Sequence, residues 1–319
     1  MEKNKFIEND NHMKELLRQY GIPETAGTNL IRDTDYNAVY LVNGDLPKIL
    51  RISKRLNEED IYFELDVLRY LSQNSFPTAI WYPTKKNQPF AKTRDGRIGT
   101  LFEYVKGDHV EISPREKPDK TLVHEAGKTL GNLHSLTIDY SPEHVRSRNI
   151  YTEFDRVLKN SDQFSAYFEG GEDFVEQVQQ MVDFAKGQQT KSGVINNDYR
   201  VGNVFYNTDG RVIAVIDFDW ACVGPLVKDL ALGLVEWSFP DGADKPWNDL
   251  FVEFLNGYNK NAPEKWELDN NLRSWIMFAC LSDASTYFTD LMKDPNNAKK
   301  SLGSFMYNKY LFFKDIKLQ

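Results

Sequence analysis

The stretch Val194 to Tyr206, VINNDYRVGNVFY, sets an aspartate, an arginine and three asparagines into a segment that otherwise reads as two short apolar strands. Asp198 and Asn203 stand five positions apart in it, and Asp217 closes the next apolar run, RVIAVIDF. The turn sequence NTDG, Asn207 to Gly210, joins two strands antiparallel, which predicts Asn203, at the start of the first, beside Asp217, at the end of the second. An amide oxygen and a carboxylate are hard ligands of the kind magnesium takes alongside substrate phosphates. Asp198, on the same loop, suits the acceptance of a proton from a hydroxyl aimed at phosphorus. Phosphoryl transfer asks a protein mainly for metal, positioning and a carboxylate near the nucleophile, and these residues supply those parts.

Elements on either side must position them. NAVYLVNGDLPKILRIS (Asn37 to Ser53) reads as a hairpin around Asn43-Gly44, a dipeptide tolerant of positive φ. A helix follows in NEEDIYFELDVLRYLSQ, with Ile61, Leu65, Leu68 and Leu71 at helical spacing and acidic residues at its start. Prolines 77, 83 and 89 interrupt the next stretch, and RIGTLFEYVKGD supplies another strand, ending in Lys106-Gly107-Asp108. TLVHEAGKTLGNLHSL predicts a second helix whose Gly127 and Gly131 admit a close neighbour, and EDFVEQVQQMVDFAK a third, ended by Gly187. Three β-rich runs, GVI, NVFYN and RVIAVIDF, come next, and amphipathic helices from Val227 to Gln319. That order predicts an α+β protein with a small β-rich N-lobe, residues 1–105, and a larger, mainly helical C-lobe, residues 106–319.

NNDYRVGN followed by VIDFDWACVGPLVKDLA resembles the aminoglycoside phosphotransferase and choline kinase type of small-molecule kinases, which share the two-lobed protein-kinase-like fold. Their pattern of His-Gly-Asp, four residues, Asn, then Ile-Asp and Asp-Leu-Ala is met by Asp198, Asn203, Ile216-Asp217 and Asp229-Leu230-Ala231. The resemblance extends over most of the chain: DYNAVYLV resembles the first hairpin strand, with Asn37 at its nucleotide-loop end, ILRIS the third strand, LFEYVKG the connection between lobes, and LGNLHSL the helix before the catalytic region. It implies an ATP-dependent phosphotransferase, GTP remaining open, with Mg2+ as metal. Asp198 is then the catalytic base, and Asn203 and Asp217 are metal ligands. Asp219 is either a further metal partner or a turn cap. The resemblance also places backbone groups of Glu103, Tyr104 and Val105 on the adenine. Arg51 occupies the strand position where many relatives carry a phosphate-binding lysine, and its expected partner is Glu64, an acid lying along the apolar stripe of its helix; Lys48 is the alternative phosphate contact. His134 and Asp229 have bracing roles beneath the catalytic loop.

Two departures stand out. Asn196-Asn197 replaces His-Gly ahead of Asp198, and the phosphate-covering segment GTNLIRDTDYN lacks a glycine-rich fingerprint. The first keeps a catalytically silent nucleotide-binding scaffold open as an alternative. Eleven residues between Asp217 and Asp229 are too few for the peptide platform of protein kinases, which leaves a small acceptor. An aminoglycoside, as in antibiotic resistance, or another amino alcohol comes first. Glu236 and Asp283 are candidate ammonium contacts or simply solvated helix charges. Homoserine, choline, a sugar or a macrolide stay open.

Composition is compatible with these expectations. The 319 residues are 41% hydrophobic and carry a net charge of -8 with both signs mixed, so there is no basic footprint for nucleic acid. Cys222 and Cys280 are too few for a disulfide framework. The first twenty residues lack a signal-peptide core, and no apolar run approaches the roughly 20 residues of a membrane span, so a cytoplasmic protein without membrane contact is expected. Nucleotide and acceptor are the expected partners; oligomeric state is not encoded legibly.

Overall fold

The computed structural model describes residues 10–293 and 300–316. The expectation about a signal peptide falls partly on residues 1–9, and that of helices reaching Gln319 partly on 294–299 and 317–319, all outside the described residues. The chain divides into two compact units. The first comprises Met1–Gly107, Pro142–Ser147 and Ala214–Asp219, and the second Asp108–Ser141, Arg148–Ile213 and Trp220–Gln319.

In the first unit the elements run α1 (Asp10–Tyr20), β1 (Thr28–Asp33), β2 (Asn37–Val42), β3 (Lys48–Ser53), α2 (Glu58–Gln73), β4 (Trp81–Tyr82), β5 (Ala91–Lys92) and β6 (Ile98–Glu103). They form one antiparallel sheet in the order β1-β2-β3-β6-β4, with β5 also on β6. Strand alternation sorts its side chains. Ala38, Tyr40 and Val42 of β2 with Leu50 and Ile52 of β3 pack on Met13, Leu16 and Leu17 of α1. Asn37 and Arg51 therefore belong to the opposite face.

DYNAVYLV, read as the first strand, is the second. β1 precedes it, and its residues are nearly all exposed, so no buried alternation marks it in the sequence. Helix α2 begins at Asn57, whose side chain accepts from Asp60 N–H at 2.8 Å. The segment 142–147 is tied to that helix. His144 N–H and Nδ1 meet Asp66 Oδ2 at 3.0 and 2.7 Å, and Ser147 N–H and Oγ donate to Asp60 Oδ1 at 3.0 and 2.8 Å.

The second unit carries α3 (Lys120–Thr137), α4 (Thr152–Lys159), α5 (Ser161–Tyr167), β7 (Phe168–Glu169), α6 (Gly171–Lys186), β8 (Ser192–Ile195), a 3-10 turn (Val201–Asn203), β9 (Val204–Tyr206), β10 (Val212–Val215), along which the chain passes into the first unit, β11 (Cys222–Pro225), α7 (Leu226–Glu236), α8 (Asn248–Asn261), α9 (Asn270–Leu291), β12 (Lys300–Ser301) and α10 (Phe305–Asp315). The neighbour admitted by Gly127 and Gly131 is α8: a Cβ at these positions would lie 2.1 Å from Phe254 O and 2.4 Å from Tyr258 O. Phe164, Phe168, Phe174 and Phe288 pack into one aromatic core, mostly tilted or edge to face.

Two local readings differ. RVIAVIDF was expected to remain strand as far as Asp217, but β10 stops at Val215 and Asp217 turns to φ +63°, outside strand geometry. CVGP, which holds two strand breakers, forms β11 and pairs antiparallel with β8, Cys222 opposite Ile195. With its small antiparallel-sheet unit and larger helical unit the protein is α+β, as the order of elements predicts. No described helix is long and apolar enough to cross a membrane.

Candidate active site

On the α2-facing side of the sheet, Arg51 and Glu64 form a two-pronged ion pair, Nη1 to Oε1 at 2.8 Å and Nη2 to Oε2 at 2.5 Å. Their side chains are 8% and 1% exposed, so the pair is dry. Burial works against the Arg51 charge, but the Glu64 carboxylate, with Asp219 and Asp217, outweighs it and the pKa is raised. Arg51 Nη1 also stands 3.8 Å from Asp217 Oδ1. Lys48, at the start of the same strand, sets its ammonium over the Tyr82 ring at 3.8 Å.

Asn37 and Asp219 meet across 182 positions, Nδ2 donating to Oδ2 at 2.6 Å. Arg146, which the sequence reading overlooked, holds the backbone on both sides of this group, donating to Asp60 O at 2.8 Å and to Asp219 O. Asn37 Oδ1 and Asp219 Oδ1 are buried and without a hydrogen-bond partner among the described residues, as is Arg51 Nε. Unsatisfied buried oxygens are donors a hard divalent cation takes, and the Asp219 and Asp217 carboxylates both act on the charge of Arg51. The residues therefore fit Mg2+. Glu103 ends β6, its carboxylate accepting from Ile80 N–H at 2.7 Å; Tyr104 and Val105 follow outside regular secondary structure.

In the second unit Ile195 ends β8, and the next residues form the loop. Asp229, in the first turn of α7, accepts the N–H of Asn196 at 2.9 Å and that of Asn197 at 2.8 Å. Beneath it, fully buried His134 joins Asp229 Oδ2 at 3.2 Å and Tyr258 Oη at 2.8 Å. Asn196 Oδ1 accepts from Asp198 N–H at 3.1 Å. Asn197 has φ +64° and takes Lys228 Nζ on its side-chain oxygen. Burial pushes the Lys228 ammonium pKa down.

Both oxygens of Asp198 are engaged. Oδ1 lies 2.5 Å from Arg200 Nη2, and Oδ2 accepts from Asn203 Nδ2 at 3.1 Å. Asn203 Nδ2 also donates to Asp198 O at 2.9 Å, so its amide nitrogen is committed and its carbonyl oxygen is the atom left to offer a ligand. Arg200 reaches Asp283 Oδ1 of α9 at 3.7 Å. The Asp198 carboxylate, then Glu236 and Asp283, raise its pKa.

Thus the site residues read from the sequence gather in two groups, Asn37, Arg51, Glu64, Asp217 and Asp219 in one unit, Asp198 and Asn203 in the other. Arg146, Arg200 and Lys228 were overlooked. Arg200 alone had a local signal, its place two residues after Asp198 in the same polar loop.

Residues 30–267 match the profile of the phosphotransferase enzyme family, APH. The chain belongs to that family. It is a small-molecule kinase, a phosphotransferase acting on hydroxyl groups. A homoserine kinase of Caulobacter vibrioides is 25% identical over 264 residues, 80% of this chain and 78% of the relative. An amicoumacin kinase of Bacillus subtilis is 23% identical over 290 residues, 86% of this chain and 81% of the relative. Among solved structures, an amicoumacin kinase in complex with AMP-PNP, Ca2+ and Ami superposes with a TM-score of 0.69 at 17% identity, covering 90% of this chain and 87% of its own. A microcompartment-associated aminopropanol kinase gives 0.68 at 18% identity, covering 96% and 97%. The shared fold of this phosphotransferase is the protein-kinase-like one.

Proposed function

We propose that the protein uses ATP and Mg2+ to phosphorylate a hydroxyl of a small acceptor that also carries an amine. The observation that carries this reading is the setting of Asp198. Its carboxylate is held by Arg200 and Asn203, and Asp283 and Glu236 bring further negative charge to the same neighbourhood. Asp198 takes the proton of the acceptor hydroxyl as that oxygen bonds to the γ-phosphorus and the bond from phosphorus to the leaving diphosphate oxygen breaks. Asp217 and Asp219, and Asn203 through its carbonyl oxygen, would hold the metal, which would supply charge neutralisation for the transferred phosphate. Arg51, steadied by Glu64, bears on the phosphates. Backbone groups of Glu103, Tyr104 and Val105 take the adenine, and Asn37 acts through Asp219. Asp283 and Glu236 receive the ammonium group.

The test is an ADP-release screen over amino alcohols, homoserine, choline, aminoglycosides, macrolides and sugars, with and without Mg2+. Turnover of amine-bearing acceptors, metal-dependent and lowered about 10²–10⁴-fold in Asp198→Ala, is expected. Undiminished turnover in that variant shows the assigned base to be wrong. Preference for amine-free sugars removes the acceptor class. Nucleotide binding without any ADP release points to the silent scaffold instead.

A further inference from the structure

Where the family pattern has His-Gly ahead of the aspartate, this chain has Asn196-Asn197, and Asn197 adopts the left-handed backbone, φ +64°, that favours glycine. Asparagine tolerates that region better than other side chains, because its short amide finds local partners. Here the amide is anchored at both ends. Nδ2 donates to Trp220 O at 3.2 Å, and Oδ1 accepts from Lys228 Nζ.

Lys228 is 4% exposed, and Asp229, Asp198, Asp283 and Cys222 act electrostatically on its charge. The hydrogen bond of the ammonium goes to the neutral Asn197 oxygen. A buried cation is expensive, and an apolar side chain of similar length would pack at the start of α7 for less. What an apolar side chain lacks is a charge-assisted donor for that oxygen. Lys228 and Asp229 are consecutive. One holds the side chain of Asn197 and the other its N–H, and the next residue is Asp198.

We propose that Lys228 is a positioning residue for the Asp198 carboxylate. Its ammonium locks the Asn197 side chain, and with it the left-handed turn that aims Asp198, so a lysine from α7 and an asparagine together replace the His-Gly brace. This rests on the reading of Asp198 as the base.

Four proteins test it: wild type, Lys228→Met, Asn197→Gly and the double variant. Lys228→Met is expected to lower kcat by about tenfold or more, leave the nucleotide KM within about twofold, and speed amide exchange about tenfold in a peptide covering residues 194–204, with no drop in Tm. Asn197→Gly accepts the left-handed backbone without the anchor and loses less. In that background Lys228→Met changes neither kcat nor exchange further. An equal effect of Lys228→Met in both backgrounds overturns the proposal, as does unchanged exchange. If Lys228→Met does not fold, Lys228→Gln goes through the same cycle, and effects independent of Asn197 overturn it there. Should wild type turn over no acceptor, the kinase reading fails, while exchange at 196–198 still decides the Lys228 contact.

Discussion

Two arginine–carboxylate pairs serve the two groups of site residues, and they differ in almost every physical respect. Arg51 and Glu64 are buried and joined at both prongs, whereas Arg200 is 37% exposed and shares its guanidinium between Asp198 at 2.5 Å and Asp283 at 3.7 Å. A dry, two-pronged pair holds one geometry and is costly to break. A partly exposed side chain divided between two acids is held less rigidly than a dry, two-pronged one. The contrast is between a fixed pair in the first unit and an adaptable one in the second.

The largest effect expected from this contrast is on stability. Glu64→Ala leaves a buried guanidinium with Asp217 as its nearer remaining acid and costs about 3–5 kcal/mol in denaturant unfolding, with nucleotide affinity lost as well. A cost below about 1 kcal/mol would put Arg51 in solvent contact and abolish the distinction. Arg200→Gln changes stability by less than about 1 kcal/mol, yet it lowers kcat about ten- to a hundredfold because Asp198 loses a restraint on its carboxylate. Steady-state kinetics beside the unfolding curve separate these outcomes; a large stability loss with kcat intact would reverse the comparison.

The smallest effect belongs to the His144–Asp66 pair, joined at 2.7 Å. The hydrogen bond to Asp66 raises the His144 pKa above its ordinary 6.5. A group whose folded pKa is raised stabilises fully below its unfolded value and loses that contribution as pH rises through the folded value. The Tm deficit of His144→Ala is therefore larger at pH 5.5 than at pH 8.5, and a pH-independent deficit would assign the loss to the stacking of its ring on Tyr62, centroids 4.7 Å apart.

What the sequence showed was whatever local spacing encodes. The Asp198 to Asn203 interval lies within one loop, the apolar stripe of α2 exposes Glu64 as an acid in need of a partner, and Gly127 and Gly131 announce a close approach. Contacts set by topology left no such trace. Asn37 meets Asp219 only after the sheet is assembled, and Asp283 reaches Arg200 from a helix whose charges look solvated in sequence. Lys228 carried no signal of its own, because β11, which precedes it, hides behind a Gly-Pro pair. The left-handed turn at Asp217 was invisible because an apolar run leads straight into it.

The two glycines of α3 have a further consequence. Where side chains separate helices, drift in their volumes changes the spacing, but α3 and α8 touch backbone to backbone at Gly127 and Gly131. That joint fixes the span between His134 on α3 and Tyr258 on α8, the pair on which Asp229 rests. Side chains elsewhere on the helices can change while the support beneath the loop keeps its dimensions, because those measurements are set by peptide groups.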